Sequence, residues 1–420
     1  MFVIRQSKPD DVPNFLRLAR MVFFINLPPN EAILHAKVEH SMACFRKAAG
    51  VKESANAPAR RRKSAGGFAE SEGDSELFVF TIEDTETRSV IGTSQVRAHQ
   101  GGPGDPNWSF RITEKTFRSE RLGWGTTHKV GQLYGDETGP SEVGGLIIQP
   151  SYRGHKDRPG RLLSFIRFHW IGLHRKRFAD RLLAEMMAPI SSDGDNVFWD
   201  HFGRKFIPVK YGEADRFCQH NRGFIPELLP KDEIYLSLFP LEVQNLIGAV
   251  SRETIPARRI LESLGFQYRN FVDPFDGGPH LDAVTDDVPL IKATARVTLV
   301  EANEDRCDTP AIVSVTGEDG EFRATETLVH TTKGDVGVPR AVLDLLGVSE
   351  ASGEGAWTPL TKWAGRSHSS DETPATRNGH VKAAKASKRS DRSTARTPKP
   401  ASRSSSKPTS KPAKSKRARS

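Results

Sequence analysis

The chain has 420 residues, 36% hydrophobic and 27% charged, with a formal net charge of +9. From Thr361 onward there are 17 Lys and Arg against 3 Asp and Glu, whereas residues 1–360 carry 44 against 49, so the basic charge belongs to the tail and the body reads as an ordinary soluble domain. Cys44, Cys218 and Cys307 are odd in number, far apart and without CxxC spacing, no apolar run nears the roughly 18 residues of a membrane span, and charges break up "MFVIRQSKPDDV"; this argues against a disulfide framework, a cysteine zinc site, a membrane span and a signal peptide.

Residues 2–5 read as a strand. A turn and a helix follow, with Asp10 or Asp11 as cap, Pro13 in the first turn, and Val12, Phe15, Leu16 and Leu18 at helical spacing. A second helix is predicted from Asn30 or Glu31 to Arg46, with Ile33, Leu34, Val38 and Met42 along one side. Residues 48–75 are rich in Ala, Gly, Ser and charge and read as a flexible insertion; its Arg60–Lys63 run is expected simply to stay solvated. Strands at 76–83 and 89–97 flank "DTET" and predict a hairpin, and "GGPGDPNW" (101–108) is a loop. A strand over 141–149, a basic loop, a helix to about Phe178 and a strand over 181–189 follow. Helical and loop segments fill 190–285 and end in the strand-like "GFQYRNFVD". Short β runs at 290–357 predict a small β-rich subdomain, and the Ser, Lys, Arg and Pro of the tail cannot bury enough surface to order it. The expectation is an α/β (α+β) fold: a mixed central sheet flanked by helices over 1–285, a β-rich subdomain over 286–360 and a disordered basic tail over 361–420.

"SEVGGLIIQPSYRGHKDRPGRLLSFIRFHW" (141–170) passes from a buried strand through a basic, glycine-bearing loop into a helix. Backbone N–H groups at a helix N-terminus have no intrahelical acceptor, and the dipole there is positive. With Arg153, Gly154, Lys156, Arg158, Gly160 and Arg161 nearby, the fitting guest is a phosphate or pyrophosphate, unless the loop is basic by chance. Neither GxxxxGK[ST] nor GxGxxG occurs. The loop resembles the RxxGxG/A element of the GNAT acyltransferase superfamily, with Arg158 where a glycine is usual. That resemblance implies a coenzyme A pyrophosphate on the helix and a pantetheine arm along the strand.

The resemblance becomes specific at "FWDHFGRKF", "FIPELLPK", "PARRILESLGFQYRN" and "FDGGP", together with "LPPNEAIL", "SEVGGLIIQP" and "AEM" in the same order. Over roughly residues 1–350 the chain resembles the arginine N-succinyltransferase family, which moves succinyl from succinyl-CoA to the α-amino group of arginine. The resemblance implies a GNAT-like core and succinyl-CoA as co-substrate, with no permanently bound cofactor. It carries succinyl-CoA binding onto Leu146, whose bland reading is a core aliphatic, and Ile148 lies on the same strand. The family's proton-donor histidine, shortly before "PAR", is Ser251 here, and bulky Phe23, Phe24 and Ile25 replace a glycine-rich stretch before "LPPNE".

The attacking amine must lose a proton, so Glu142 and Glu185 are candidate bases, each equally readable as a structural carboxylate. A cationic substrate wants carboxylates. Asn30, Glu31, Asp273 and Asp276 lie in the best-matched segments and are the candidates, with Asn30 also readable as a cap and Asp276 as the organiser of the FDGGP turn. His201, His220 and His280 read as surface or satisfied histidines, and no metal ligands are assigned. The expected partners are succinyl-CoA and a basic amino acid in the cytoplasm, with no membrane, in a homo- or hetero-oligomer. Alternatives left open are another acyl donor or amine such as ornithine, and a weakly catalytic relative whose tail makes nonspecific, salt-sensitive nucleic-acid contacts.

Overall fold

Phe2, Val3 and Ile4 are buried along β1 (Phe2–Gln6), the first strand of a sheet that organises the whole chain. The computed structural model describes residues 1–21, 27–51, 75–191, 193–218 and 223–361. The expectations for 52–74, for Phe23–Ile25, for His220 and for the tail from Lys362 lie outside the described residues.

After β1, α1 (Val12–Ala19) carries Pro13 near its start, as expected. Asp11 precedes the helix without capping it by its side chain. Its carboxylate accepts from Lys8 N (2.8 Å) and pairs with Arg5 (2.7 Å). α2 (Glu31–Ala48) is N-capped by Asn30, whose Oδ1 accepts from Ile33 N at 3.2 Å. β2 (Leu77–Asp84) and β3 (Ser89–Arg97) form the expected hairpin. Side chains alternate across a strand, so Leu77 and Val79 meet α1 and α2 on one face, while Phe78, Phe80 and Ile82 meet the next long helix on the other.

A ribbon of β4 (Asn107–Ser119) and β5 (Trp124–Asp136) occupies a stretch for which the sequence suggests no element. β6 (Ser141–Ile148) leads through the basic loop to α3 (Pro159–Leu173), which stops before the predicted Phe178; a 3-10 turn at Arg175–Arg177 follows. Trp170 of α3 sits 4.7 Å from Phe45, 5.1 Å from Phe78 and 4.9 Å from Phe322 (ring centroids), which locks helix to sheet. β7 (Arg181–Glu185) is shorter than its apolar run because Ala188 N is taken by the Asp276 carboxylate instead of a neighbouring strand.

Next come α4 (Val197–His201), α5 (Tyr211–Cys218), α6 (Phe224–Leu228), β8 (Ile234–Tyr235), α7 (Leu241–Leu246) and α8 (Ile255–Ser263). β9 (Gln267–Val272), β10 (Pro279–Val284) and α9 (Pro289–Ala293) close this region. The C-terminal segment folds as β11 (Ala295–Glu301), β12 (Thr309–Thr316), β13 (Phe322–Thr331), β14 (Asp335–Val338), α10 (Arg340–Leu346) and β15 (Ser352–Pro359). Here β12 pairs with β15, β15 with β11, β11 with β14, β14 with β13 and β13 with β12, a closed ring of five strands. Leu299, Val313, Val329 and Val338 fill it, with Leu343 and Leu346 of α10 as a plug.

Among the described residues all fifteen strands join in one mixed sheet, in the order β12-β15-β11-β14-β13-β1-β2-β3-β6-β7-β10-β9-β4-β5-β8. The mixed sheet with flanking helices and a β-rich C-terminal part is the architecture expected from the sequence. Among the described residues no helix is long and apolar enough to cross a membrane.

Candidate active site

β6 and β7 run parallel but pair only at Ser141↔Leu182 and Glu142↔Leu183. Beyond Glu142 the strands separate, and the β7-facing edge of β6 presents backbone groups that an extended ligand can pair with. On its other edge β6 meets β3 through a bulge: Ser94 alone faces Gly145 and Leu146, between the pairs Thr93↔Ile147 and Gln95↔Gly144. The bulge stands on Gly145, at φ +58°, where a Cβ would lie 2.8 Å from Gln95 Cγ. Both backbone and space therefore demand glycine, and the bulge re-aims the strand where it opens. Leu146 and Ile148 pack partly buried against the main core, so their side chains are structural while their backbone lies on the opening.

The loop after β6 is anchored by Tyr152, whose hydroxyl donates to Asp84 at 2.8 Å. Gly154 takes φ +75°. Arg158 stands before α3 at φ 48°, ψ 52°, the left-handed conformation that the glycine expected there would adopt freely. A Cβ on Gly160 would meet only Ile148, at 3.8 Å, which leaves room over the first turn of α3 at the end of β6. Arg161 is paired with Glu326. Arg153 pairs with Glu253 at 2.9 Å, and both are well exposed, so this weak pair leaves the guanidinium exchangeable. Arg158→Gly is expected to stabilise the fold by about 0.5–1 kcal/mol, the strain relieved less the added chain entropy, while weakening coenzyme A binding several-fold. Thermal melts and calorimetry check both, and a lower melting temperature would show that Arg158 makes contacts that outweigh its backbone strain.

Ser251 N donates to Met187 O at 3.1 Å, its hydroxyl bonds that of Thr254, and Glu253 holds Arg153. These links tie the segment around Ser251 between the end of β7 and the basic loop. Glu142 is 3% exposed, with Oε2 3.8 Å from Arg97 Nε. Arg167, buried on α3, donates to Ser164 O (3.1 Å) and Gly144 O (3.4 Å); burial lowers its pKa to about 9, against the pull of Glu142. Glu142 thus serves as counter-ion to buried guanidinium groups.

Across the opening, Glu185, Asp273 and His280 bring one ligand atom each to within 4.8 Å of one another. β7 and β10 pair antiparallel with Glu185 opposite His280. Glu185 Oε1 accepts from Asn107 Nδ2 at 2.8 Å and lies 3.8 Å from His280 Nε2. Asp273 Oδ1 accepts from Phe275 N (2.7 Å) and Asp276 N (3.0 Å). Asp276 accepts from Gly278 N (2.7 Å) and Ala188 N (2.9 Å), which clamps the FDGGP turn onto the exit of β7. The clamp is tight: a Cβ on Gly278 would stand 2.0 Å from Met186 O. Burial first, then Asp276 and Glu185, push Asp273 up to about 7, and burial pushes Asp276 up to about 6. Among the described residues no Lys or Arg pairs with Glu185, Asp273 or Asp276. The corner suits a cation: an ammonium or guanidinium group, or a metal ion, for which the sequence suggests no ligands.

The structure brings together Glu185, Asp273 and Asp276 and joins the basic loop to the segment of Ser251. Asn30 and Glu31 are placed otherwise: Asn30 caps α2, and Glu31 is 71% exposed, 3.9 Å from His35. His201 Nδ1 lies 3.0 Å from Val197 O. His280 departs from its expected role, being 6% exposed with Nε2 lacking a hydrogen-bond partner. Asn107 also escapes the sequence reading. The one available pointer to His280 is its place just after FDGGP.

A family model described as AstA, arginine N-succinyltransferase beta subunit, matches residues 52–290. The chain is 32% identical over 344 residues to an arginine N-succinyltransferase of Escherichia coli (strain 55989 / EAEC), covering 79% of this chain and 93% of that one. Its likeness to one of Shigella dysenteriae serotype 1 (strain Sd197) is also 32%, over 342 residues, 79% of this chain and 92% of the other. Among solved structures it is similar to arginine/ornithine succinyltransferase subunit AI from Pseudomonas aeruginosa, with a TM-score of 0.67, 26% identity, and coverage of 86% of this chain and 98% of that one.

Proposed function

Because the chain belongs to the arginine N-succinyltransferase family and is an acyltransferase, we propose that it moves succinyl from succinyl-CoA to the α-amino group of arginine. The observation that carries this reading is the opening between β6 and β7, with a basic helix N-terminus following β6 and an acid corner at the end of β7. The pyrophosphate rests on the first turn of α3, near Arg153 and Arg158, in the space left by Gly154 and Gly160. The pantetheine arm pairs with β6 beyond Glu142, which sets the thioester carbonyl near the Gly145 bulge. Backbone N–H groups along Leu146–Ile148 take up the negative charge that develops on the carbonyl oxygen. Glu185, Asp273 and Asp276 draw the cationic amine to the opposite side. Attack by the neutral amine forms the C–N bond and breaks the C–S bond, and the thiolate leaves readily because thiols are far more acidic than alcohols.

Succinyl-CoA is a co-substrate in this reading. The buried thiols of Cys44, Cys218 and Cys307 suit a cytoplasmic setting, and the relatives' descriptions as a beta subunit and a subunit AI support an assembly of more than one chain. The test is thiol release by the purified protein across a matrix of acyl-CoAs with arginine, ornithine and lysine. Succinyl-CoA with arginine is expected to react fastest, and Gly160→Leu to raise the KM for the thioester at least tenfold with little change for the amine. Absence of thiol release from every pair would overturn the transfer reading, and a preference for acetyl-CoA would overturn the succinyl donor.

A further inference from the structure

We propose that His280 Nε2 accepts the proton of the attacking amine, a task for which Ser251, shortly before "PAR", offers only a hydroxyl. The inference rests on the acyl-transfer reading of the same opening and adds the group that makes the amine reactive. An unpaired buried imidazole nitrogen is unusual, because a buried polar atom without a partner costs about 1–3 kcal/mol. His280 is such a case. It is 6% exposed, sits on β10 between β7 and β9, and directs Nε2 into the corner that contains Glu185 and Asp273. An amine substrate provides the missing partner.

Each carboxylate of the corner already accepts hydrogen bonds from the chain through at least one oxygen. Glu185 Oε1 is held by Asn107 at 2.8 Å, and Asp273 Oδ1 accepts two backbone N–H groups. Asp276 spends both oxygens on Ala188 and Gly278. Ser251 shares its hydroxyl with Thr254. An alcohol is a poor proton acceptor near neutrality, whereas imidazole exchanges protons there. The charged and titratable groups facing His280 are Glu185 from β7 and Asp273 just before FDGGP, with Asp276 of that turn and Tyr211 and Asp215 of α5 beyond them. Glu185 and Asp273 stabilise the imidazolium once it forms, and Asn107 holds Glu185 in place.

The step balances without a further reactant. One proton passes from the α-ammonium group to Nε2, and the freed nitrogen lone pair forms the C–N bond as the thioester carbonyl opens to an oxyanion. Collapse expels the coenzyme A thiolate, and the second amine proton leaves with it to give the thiol. His280 then returns the first proton to solvent, so each turnover releases one thiol and one proton.

The experiment compares wild-type protein with His280→Gln and His280→Asn in the thiol-release assay with succinyl-CoA and arginine, from pH 6 to 9.5. Both variants are first checked by thermal melt and by calorimetric coenzyme A binding. Loss of kcat by about 10²–10⁴-fold, with both KM values within about threefold of wild type, is expected. The variants should also regain rate with rising pH, as free amine replaces the lost acceptor, where the wild-type profile has already flattened. Wild-type kcat in either folded variant overturns the assignment of His280, as does a loss that leaves the shape of the pH profile unchanged. If both variants fail to fold, the wild-type profile decides: one that keeps rising to pH 9.5 without flattening overturns the assignment, and one that flattens below that pH supports it. Wild-type turnover abolished by a chelator and restored by zinc gives the corner to a metal instead. A wild-type protein that releases no thiol overturns the transfer reading itself, and this inference with it.

Discussion

Replacing Asp276 with alanine is expected to destabilise the chain by about 2–4 kcal/mol and to reduce acyl transfer to background. Its two carboxylate oxygens are the acceptors for Gly278 N and Ala188 N, both in buried surroundings. Alanine leaves two N–H groups stranded, each at about 1–3 kcal/mol. Part of that loss is offset, because burial already makes the carboxylate costly to ionise and holds its pKa at about 6. The hydrogen bonds win, since the carboxyl can take a proton and still accept, whereas alanine cannot. The activity loss has a different origin. Ala188 N is what turns the chain away after β7, and without it Glu185 loses its fixed position against Asp273 and His280. Urea melts and the thiol-release assay check the two effects separately. An unchanged midpoint would show that the turn closes without the carboxylate.

The ligand-free protein is expected to lose stability as pH rises from 5 to 8, and arginine to restore it mainly at the upper end. Asp273 and Asp276 stand at about 7 and 6, against 3.8 for an ordinary aspartate, chiefly because burial penalises their charged forms. A carboxyl raised on folding binds its proton more tightly in the native chain than in the unfolded one. Its contribution is therefore complete below about pH 4 and is lost as pH climbs through 6 and 7. After discounting for the water that still reaches Asp273, the total is on the order of 2 kcal/mol. A cation reverses the trend, because the ionised carboxylates that destabilise the empty corner are the ones that hold it. Thermal melts at pH 5, 6.5 and 8, with and without saturating arginine, give the result directly. An arginine-induced shift of equal size at pH 5 and pH 8 would remove the acid corner from amine binding.

What the sequence discloses depends on whether a signal is local. The β2–β3 hairpin is legible because Leu77–Phe80 and Val90–Val96 are buried runs on either side of a short polar turn. The β4–β5 ribbon is not, because its outer halves are exposed on both faces and Glu114, Lys115, Arg118 and Lys129 interrupt any apolar alternation. Asp276 is legible as the organiser of FDGGP because one of its bonds reaches two residues along the chain. Its other bond crosses 88 residues to Ala188, and nothing in either segment announces it. The basic loop is legible by composition, and Arg158 shows that the backbone conformation persists where the glycine does not. His280 is hidden because its lack of a partner follows from three separate segments meeting, and a lone histidine between Pro279 and Leu281 carries no pattern of its own. Closure of the five C-terminal strands into a ring is likewise a matter of pairing, which apolar runs leave undecided.

β1 lies between β2 and β13, and the pairs Ile4↔Ala324 and Arg5↔Arg323 join positions more than 300 residues apart in sequence. During synthesis the first strand therefore leaves the ribosome long before its second neighbour exists, with one flank bare to every other nascent chain. Arg5, after the apolar run Phe2–Ile4, suits it to that wait, since a cation on an edge strand discourages intermolecular β-pairing. A product cut short before Phe322 would stay in that state permanently, and aggregation rather than mere inactivity would be its fate.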